Sequence, residues 1–459
     1  MSKHATKPVA ESGGRITAET LMTDAMVDRL FWRAGFGPSH ADRERWTGKT
    51  LGSAVNWLLN TPAGYSGSPG TDQGKPLDPT GNDSDLVLSW VDQMNRGINP
   101  FVERMTFIWH SHWANSRETV SPPQLLMTQT KLFRKYADLA SNPKATFHDM
   151  AYAVTIDPSM LRYLTGELNV RGAPNENYAR ELMELFTLGV TNAAGKENYS
   201  QTDVEQLAKA FSGWQINDDN PNAVFSYFTQ SRWYDGPKLV FGKFENLTTA
   251  EAVELVLSRP AHPGFIINTL WSAFIVPPPS AAKLKSLTHL YVKSGMQLKP
   301  LIQSILTQPE LFVSLEEPNM VKPPIVYVVG AMRAMNLQVK DTTASDYLDA
   351  MGQLPYFPPT VAGWQGGITW LNTDTALARF SFITTLLQQA KISDVPGETA
   401  EQAYARAYAA VGSPWLAAGT EREIKRYNAR AQYSTSELRI NRQIAVRALI
   451  LAGPDAQVM

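Results

Sequence analysis

Apolar residues recur at helical spacing along most of this chain. From Thr20, the residues Leu21, Met22, Ala25, Met26 and Leu30 mark one helix face, and Gly35, Gly37 and Pro38 stop the run. The same period predicts helices over 39–46, 50–59, 86–95, 100–113, 123–140, 146–153 and 158–164. It resumes over 177–188, 202–212, 249–257, 263–274, 280–294, 298–306, 323–335, 343–352 and 372–391, and in a helical tail from Glu398 to Leu451. Two stretches break the pattern. Residues 61–83 are rich in Gly, Pro, Ser and Asp and read as a long loop. Residues 215–242 carry Phe225, Tyr227, Phe228, Trp233, Tyr234 and Phe241, and read as a loop or a small β-hairpin lying across the helices. Leu354–Pro359 and Gly363–Gly367 are stiff turns. The fold expected is mainly α: a large multi-helix assembly with a few short β elements.

Bulk composition narrows the function classes. The chain has 459 residues, enough for a large core, and length alone suggests two or three domains. Lys and Arg total 42 against 43 Asp and Glu, so no bulk charge draws the protein to nucleic acid or anionic lipid. The absence of cysteine excludes disulfides, thiolate metal sites and a cysteine nucleophile. No apolar run approaches a membrane span, and the polar start, Met1 to Ser12, has no secretory pattern. As written, the chain reads as cytoplasmic and without membrane insertion, although a chain whose leader had been removed would look the same.

Chemistry concentrates in one block, Pro174-Asn175-Glu176-Asn177-Tyr178-Ala179-Arg180-Glu181-Leu182-Met183-Glu184-Leu185-Phe186-Thr187-Leu188-Gly189. On a regular helix Asn177, Glu181, Glu184 and Leu188 share a stripe, and Arg180 sits beside Glu184 at i+4. Two carboxylates one turn apart suit a divalent metal, or an acid/base pair if something separates their pKa values. A buried polar network fixing helix packing explains the same residues.

A second string, Trp109-His110-Ser111-His112-Trp113, places two histidines about 200° apart on a helix. They cannot easily share one ion there, so His110 facing Glu181 is the simpler expectation. A metal set of His110, His112, Glu181 and Glu184 is the alternative. His262 and His148 lie at helix starts and read as caps or buried hydrogen bonds. Asp235 and Lys238 flank Gly236-Pro237 in what reads as a solvated turn that could also overhang a pocket. Trp214, Trp233, Trp364 and Trp370 stand in loop-like contexts; such rings stack on sugars when exposed and fill helix corners when buried.

These strings, with Arg33-Ala34-Gly35-Phe36-Gly37, Asp203–Trp214, His262-Pro263, Pro358-Pro359, Gly363-Trp364 and the closing Leu451–Asp455, resemble the bacterial family called "domain of unknown function 1800". The resemblance runs over about residues 22–459. It implies one large helical domain over 21–459 behind a flexible tail over 1–20. Members often carry an export signal, so the resemblance implies export as the alternative location. It implies no activity and no catalytic residues.

P-loop, zincin, nucleophile-elbow and dinucleotide-binding glycine motifs are all missing from the chain. The leading expectation is an enzyme that cleaves a polar polymer, carbohydrate first, by acid/base or metal-assisted chemistry. Glu181 and Glu184 would act as base or ligand and His110 as acid. Arg180, Asn177 and Tyr178 would complete the catalytic group. Asn175, Trp214, Trp233, Asp235, Lys238 and Trp364 would hold substrate. The cofactor is unknown, a divalent metal being the one this set could take. The rival expectation is a helical scaffold that binds a protein partner, with the polar block as a structural network.

Overall fold

The fold was obtained as a computed structural model that describes residues 15–65, 67–220, 223–430 and 434–459. The flexible tail expected over 1–20 lies outside the described residues up to residue 14. Its last residues are tied down: Ala18 and Thr20 accept hydrogen bonds from Gly52 (2.7 Å) and Leu51 (2.9 Å), and Ile16 packs on the core.

Twenty α-helices are present among the described residues, and 56% of the chain is helical. That fixes the class as mainly α. Most helices start on a side-chain cap. Ser39, Ser200, Thr248, Asn372 and Thr399 each close a reciprocal capping box that satisfies the otherwise unpaired N–H groups of the first turn. The helical tail is three helices, Ala400–Ala410, Ala418–Arg430 and Ser436–Ala452.

The aromatic stretch after Trp214 forms two antiparallel hairpins, Trp214–Asn217 with Phe225–Phe228 and Lys238–Val240 with Lys243–Glu245. The 61–83 loop holds a third, two-residue hairpin, Thr71–Asp72 with Lys75–Pro76.

Buried apolar residues gather into two clusters. One is built on Leu30, Trp109, Trp113, Phe147, Phe186 and Trp271, the other on Trp90, Phe107, Val328, Tyr356, Phe382 and Val446. The Pro100–His112 helix contributes to both, and its residues from Pro100 to His110 are all buried. A helix that is covered all round is a central element. Asn99 starts it, accepting from Phe101 N while its amide donates to Leu58 O (2.8 Å) and Thr61 O (2.6 Å). Among the described residues no helix is long and apolar enough to cross a membrane.

One predicted helix changes character midway. Asn177–Glu181 is α, but Leu182–Thr187 is a π-helix. The wider turn takes residues beyond Leu182 out of α register, so the stripe expected from Asn177 to Leu188 does not form. π-Turns strand carbonyl oxygens, and side chains here collect them. Thr187 Oγ1 donates to Leu182 O, His112 Nε2 to Phe186 O (3.0 Å) and His262 Nδ1 to Thr187 O (3.2 Å). Asn198 Nδ2 donates to Leu188 O (3.1 Å) and Gly189 O (2.9 Å).

Candidate functional site

The polar block is mostly self-satisfied. Asn175 Nδ2 and Asn177 Nδ2 both donate to Thr165 Oγ1, at 2.9 and 3.1 Å, and Asn177 N donates to Asn175 Oδ1. The two amides therefore pin the chain entering the helix. Tyr178 is buried, its hydroxyl 2.9 Å from Thr155 Oγ1, and burial pushes it well above the ordinary tyrosine range. Arg180 pairs with Glu176 (2.9 Å) and Gln201 (3.0 Å) rather than with Glu184 as expected. Glu184 accepts from Tyr199 OH (3.1 Å). Glu181 is half-buried; burial, then the Glu184 carboxylate beside it, raise its pKa.

His110 does not face Glu181. Its ring lies among Trp90, Phe107, Tyr356 and Trp364, and Nε2 accepts from Tyr356 N at 3.1 Å. Burial lowers its pKa to about 3, so it is neutral and encased. His112 points to the other cluster, beside Trp113 and Phe186, and burial lowers it to about 4. The separation follows from their near-opposite positions on one helix. Among the described residues no three His, Asp or Glu are placed to hold a metal ion, so the set His110, His112, Glu181 and Glu184 is not assembled.

Among the described residues no hydrogen bond or ring contact links 215–242 to these histidines, although Ile216 and Val224 pack on the cluster that surrounds His110. Trp214 Nε1 donates to Thr249 Oγ1 (3.0 Å), and Asp235 meets Arg171 at the surface (3.2 Å). Lys238 is buried rather than on a solvated turn. Its ammonium lies 4.2 Å from the centre of the Trp233 ring and donates to Asn246 Oδ1 (2.7 Å), and burial lowers its pKa to about 8.

A cleft of about 820 Å³ opens instead along the central helix. That size suits a ligand of many heavy atoms. Phe107, Ser111 and His112 form one wall and Trp364, Ile368 and Trp370 the other, with Leu185 of the π-helix at the side. Gly363 allows the second wall to lie so close. It has φ of 78°, and a Cβ there would meet Ser111 O at 2.4 Å. The approach seats Trp364 on Phe107, ring centres 5.6 Å apart and planes at 23°.

Arg104 lines the cleft and is 5% exposed. Among the described residues its guanidinium makes no hydrogen bond and no ion pair, and its Nε is sealed off without a partner. Burial lowers its pKa to about 10, which leaves it charged at neutral pH. Its neighbour Glu103 is fully engaged elsewhere, by Arg134 (2.6 Å) and Trp90 Nε1 (2.8 Å). The remaining polar lining is neutral: Thr269, Ser272, Asn319 and Gln353. Gln353 accepts from Ile325 N (3.0 Å), and its amide nitrogen has no partner among the described residues. A buried unpaired cation is costly and rare, and it invites an anion.

Similarity to known proteins agrees with the resemblance in the sequence. The sequence pattern of a family described as "Protein of unknown function (DUF1800)" matches residues 29–458. The chain belongs to the DUF1800 family. No curated protein and no solved structure matches the chain. The matched DUF1800 stretch takes in the site residues described above, from Arg104 and the Trp-flanked histidines to Trp364 and Trp370.

Sequence reasoning passed over Arg104, Gln353 and Asn319. A signal for Arg104 was present: an arginine inside a helix that is apolar on nearly every face, Phe101 to Trp109.

Proposed function

We propose that this protein binds an anionic, ring-bearing ligand in the cleft beside the central helix, with carboxylate-bearing carbohydrate as the first class. The observation that carries the reading is the buried guanidinium of Arg104, which has no partner of its own among the described residues. A planar guanidinium presents a fork of donors that matches a carboxylate in two parallel hydrogen bonds. Trp364, half-buried, and the exposed Ile368 give apolar surface for a sugar ring, and Ser111, Ser272 and Thr269 offer hydroxyl partners.

Binding is favoured over cleavage. The lining holds no carboxylate among the described residues, and its histidine is neutral, its Nε2 donating to Phe186 O. Cleavage by Glu181 and Glu184 would need that pair to open onto the bound polymer, and neither lines this cleft.

The test is calorimetry with a galacturonic acid trimer, a neutral galactose trimer and inorganic sulfate, on the wild type and Arg104→Gln. The acidic trimer should bind and lose about tenfold to a hundredfold in affinity in the variant, as one charge-assisted contact is removed. Equal binding of acidic and neutral trimers, or an unchanged affinity in a folded Arg104→Gln protein, would overturn the reading.

A further inference from the structure

A second cavity shares no lining residue with the cleft, although Val321 and Pro323, on either side of its Lys322, line the cleft. It is small, about 60 Å³, and is lined by Asp28, Trp32, Lys322, Tyr327, Val411 and Trp415 among others. Lys322 is 5% exposed, and its ammonium sits 3.7 Å from the centre of the Trp32 ring. Among the described residues that ammonium makes no hydrogen bond and no ion pair. The Arg379 charge opposes it, and two carboxylates favour it, Asp28 and Asp455. Each already accepts from other groups: Asp28 from Arg43 Nε (2.8 Å) and Trp415 N (3.0 Å), Asp455 from Ala417 N (2.7 Å).

The surroundings are rigid. Trp32 is wedged between two glycines: a Cβ on Gly330 would lie 2.4 Å from the ring, and one on Gly37 2.8 Å. The Lys322 backbone is held at both ends, its N–H by Gln457 O (2.9 Å) and its carbonyl by Arg379 Nη2 (2.8 Å). The amine therefore stands in a fixed pocket with room for a few heavy atoms. Burial also lowers its pKa to about 7. On the order of a thousandfold more of it is free amine at neutral pH than of an ordinary lysine.

We propose that Lys322 is an amine nucleophile that condenses with a small neutral aldehyde or ketone in this pocket. A desolvated lysine beside an aromatic wall is suited to such addition. The nitrogen lone pair forms a bond to the carbonyl carbon, and the carbonyl π electrons move to oxygen. Two protons from the original ammonium end on that oxygen, which leaves as water. The product is an iminium cation: R–NH₃⁺ plus O=CHR′ gives R–NH⁺=CHR′ plus H₂O, with no oxidant or reductant. The face of Trp32 and the carboxylates of Asp28 and Asp455 favour a cation before and after the step. Arg29 and Arg43 share the lining with these carboxylates and already donate to Leu311 O and to Asp28, so no charge there other than that of Lys322 awaits a counterpart, and a neutral partner fits.

The experiment is reductive trapping on the full wild-type chain with propanal and cyanoborohydride at pH 7, followed by peptide mapping. The propyl group should accumulate on Lys322 at least about tenfold faster than on exposed Lys243 or Lys340. The Lys322 rate should level off above about pH 7, while theirs keeps rising. Lys322→Arg, which keeps a cation over Trp32, should abolish the fast adduct, and Lys340→Arg, at an exposed lysine outside both cavities, should leave it unchanged. Labelling of Lys322 no faster than the exposed lysines would overturn the proposal, as would a fast adduct that persists in Lys322→Arg.

Discussion

The block from Asn175 to Glu184 and the cleft beside the central helix make opposite use of polar residues. The block is dense in amides and charges, and nearly every one is partnered locally: Asn175 and Asn177 with Thr165, Arg180 with Glu176, Glu184 with Tyr199. The cleft is sparse, yet it holds a buried charge, Arg104, with no partner among the described residues. Unmet bonding capacity, rather than polar density, marks a place for a ligand. Arg33 sharpens the contrast. It is 1% exposed and close enough to Arg104 to feel its charge, yet it donates to Met459 O, Phe274 O (2.8 Å) and Asn319 Oδ1 (2.8 Å).

The comparison predicts a ranking of effects. Arg33→Met strands those acceptors in the core and should cost about 3–5 kcal/mol, read by urea unfolding. A loss below about 1 kcal/mol would mean that Arg33 and Arg104 do not differ as described.

Taken one at a time, the buried histidines rank next, and acid is what reveals them. Burial depresses His110 to about 3 and His112 and His262 to about 4, against an ordinary value of 6.5. The native state stays neutral while the unfolded chain takes up protons below about pH 6.5. Stability should therefore be intact above that pH and fall progressively from about 6.5 toward 4, by up to about 1.4 kcal/mol per unit of depression. His262→Gln should show a shallower fall, by about one proton, in unfolding free energy measured against pH. Identical slopes would remove His262 from this account.

Smaller and opposite in sign, Arg104→Met should stabilise the ligand-free protein by about 1 kcal/mol, because an unpaired buried charge gives way to an apolar chain of similar length. A clear loss in melting temperature would point to an ion pair in solution. The smallest effect belongs to the block: Glu181→Gln and Glu184→Gln should each move stability by no more than about 0.5 kcal/mol and leave binding in the cleft unaltered. A large loss of binding in either would restore the acid pair as part of a site.

Secondary structure was largely legible along the chain, since helix faces repeat every three to four residues and caps such as Ser39, Ser200 and Thr248 are local signals. The near-opposite placement of His110 and His112 was legible for the same reason. The π-turn at Leu182–Thr187 was not, because its carbonyls are collected by His112, His262 and Asn198 from elsewhere in the chain. Lys238 looked solvated because a Gly-Pro turn is usually at the surface; folding laid it over Trp233.

By itself, then, the order of residues determined the helices, the family and the short β insertions, all of which depend on neighbours within a few positions. Tertiary structure alone decided which charges found partners. Glu103 and Arg104 are adjacent in the chain, yet one is claimed by Arg134 and Trp90 while the other faces the cleft. Hydrogen bonding is settled by what lies a few ångströms away in space, and for buried side chains those neighbours come from distant parts of the sequence.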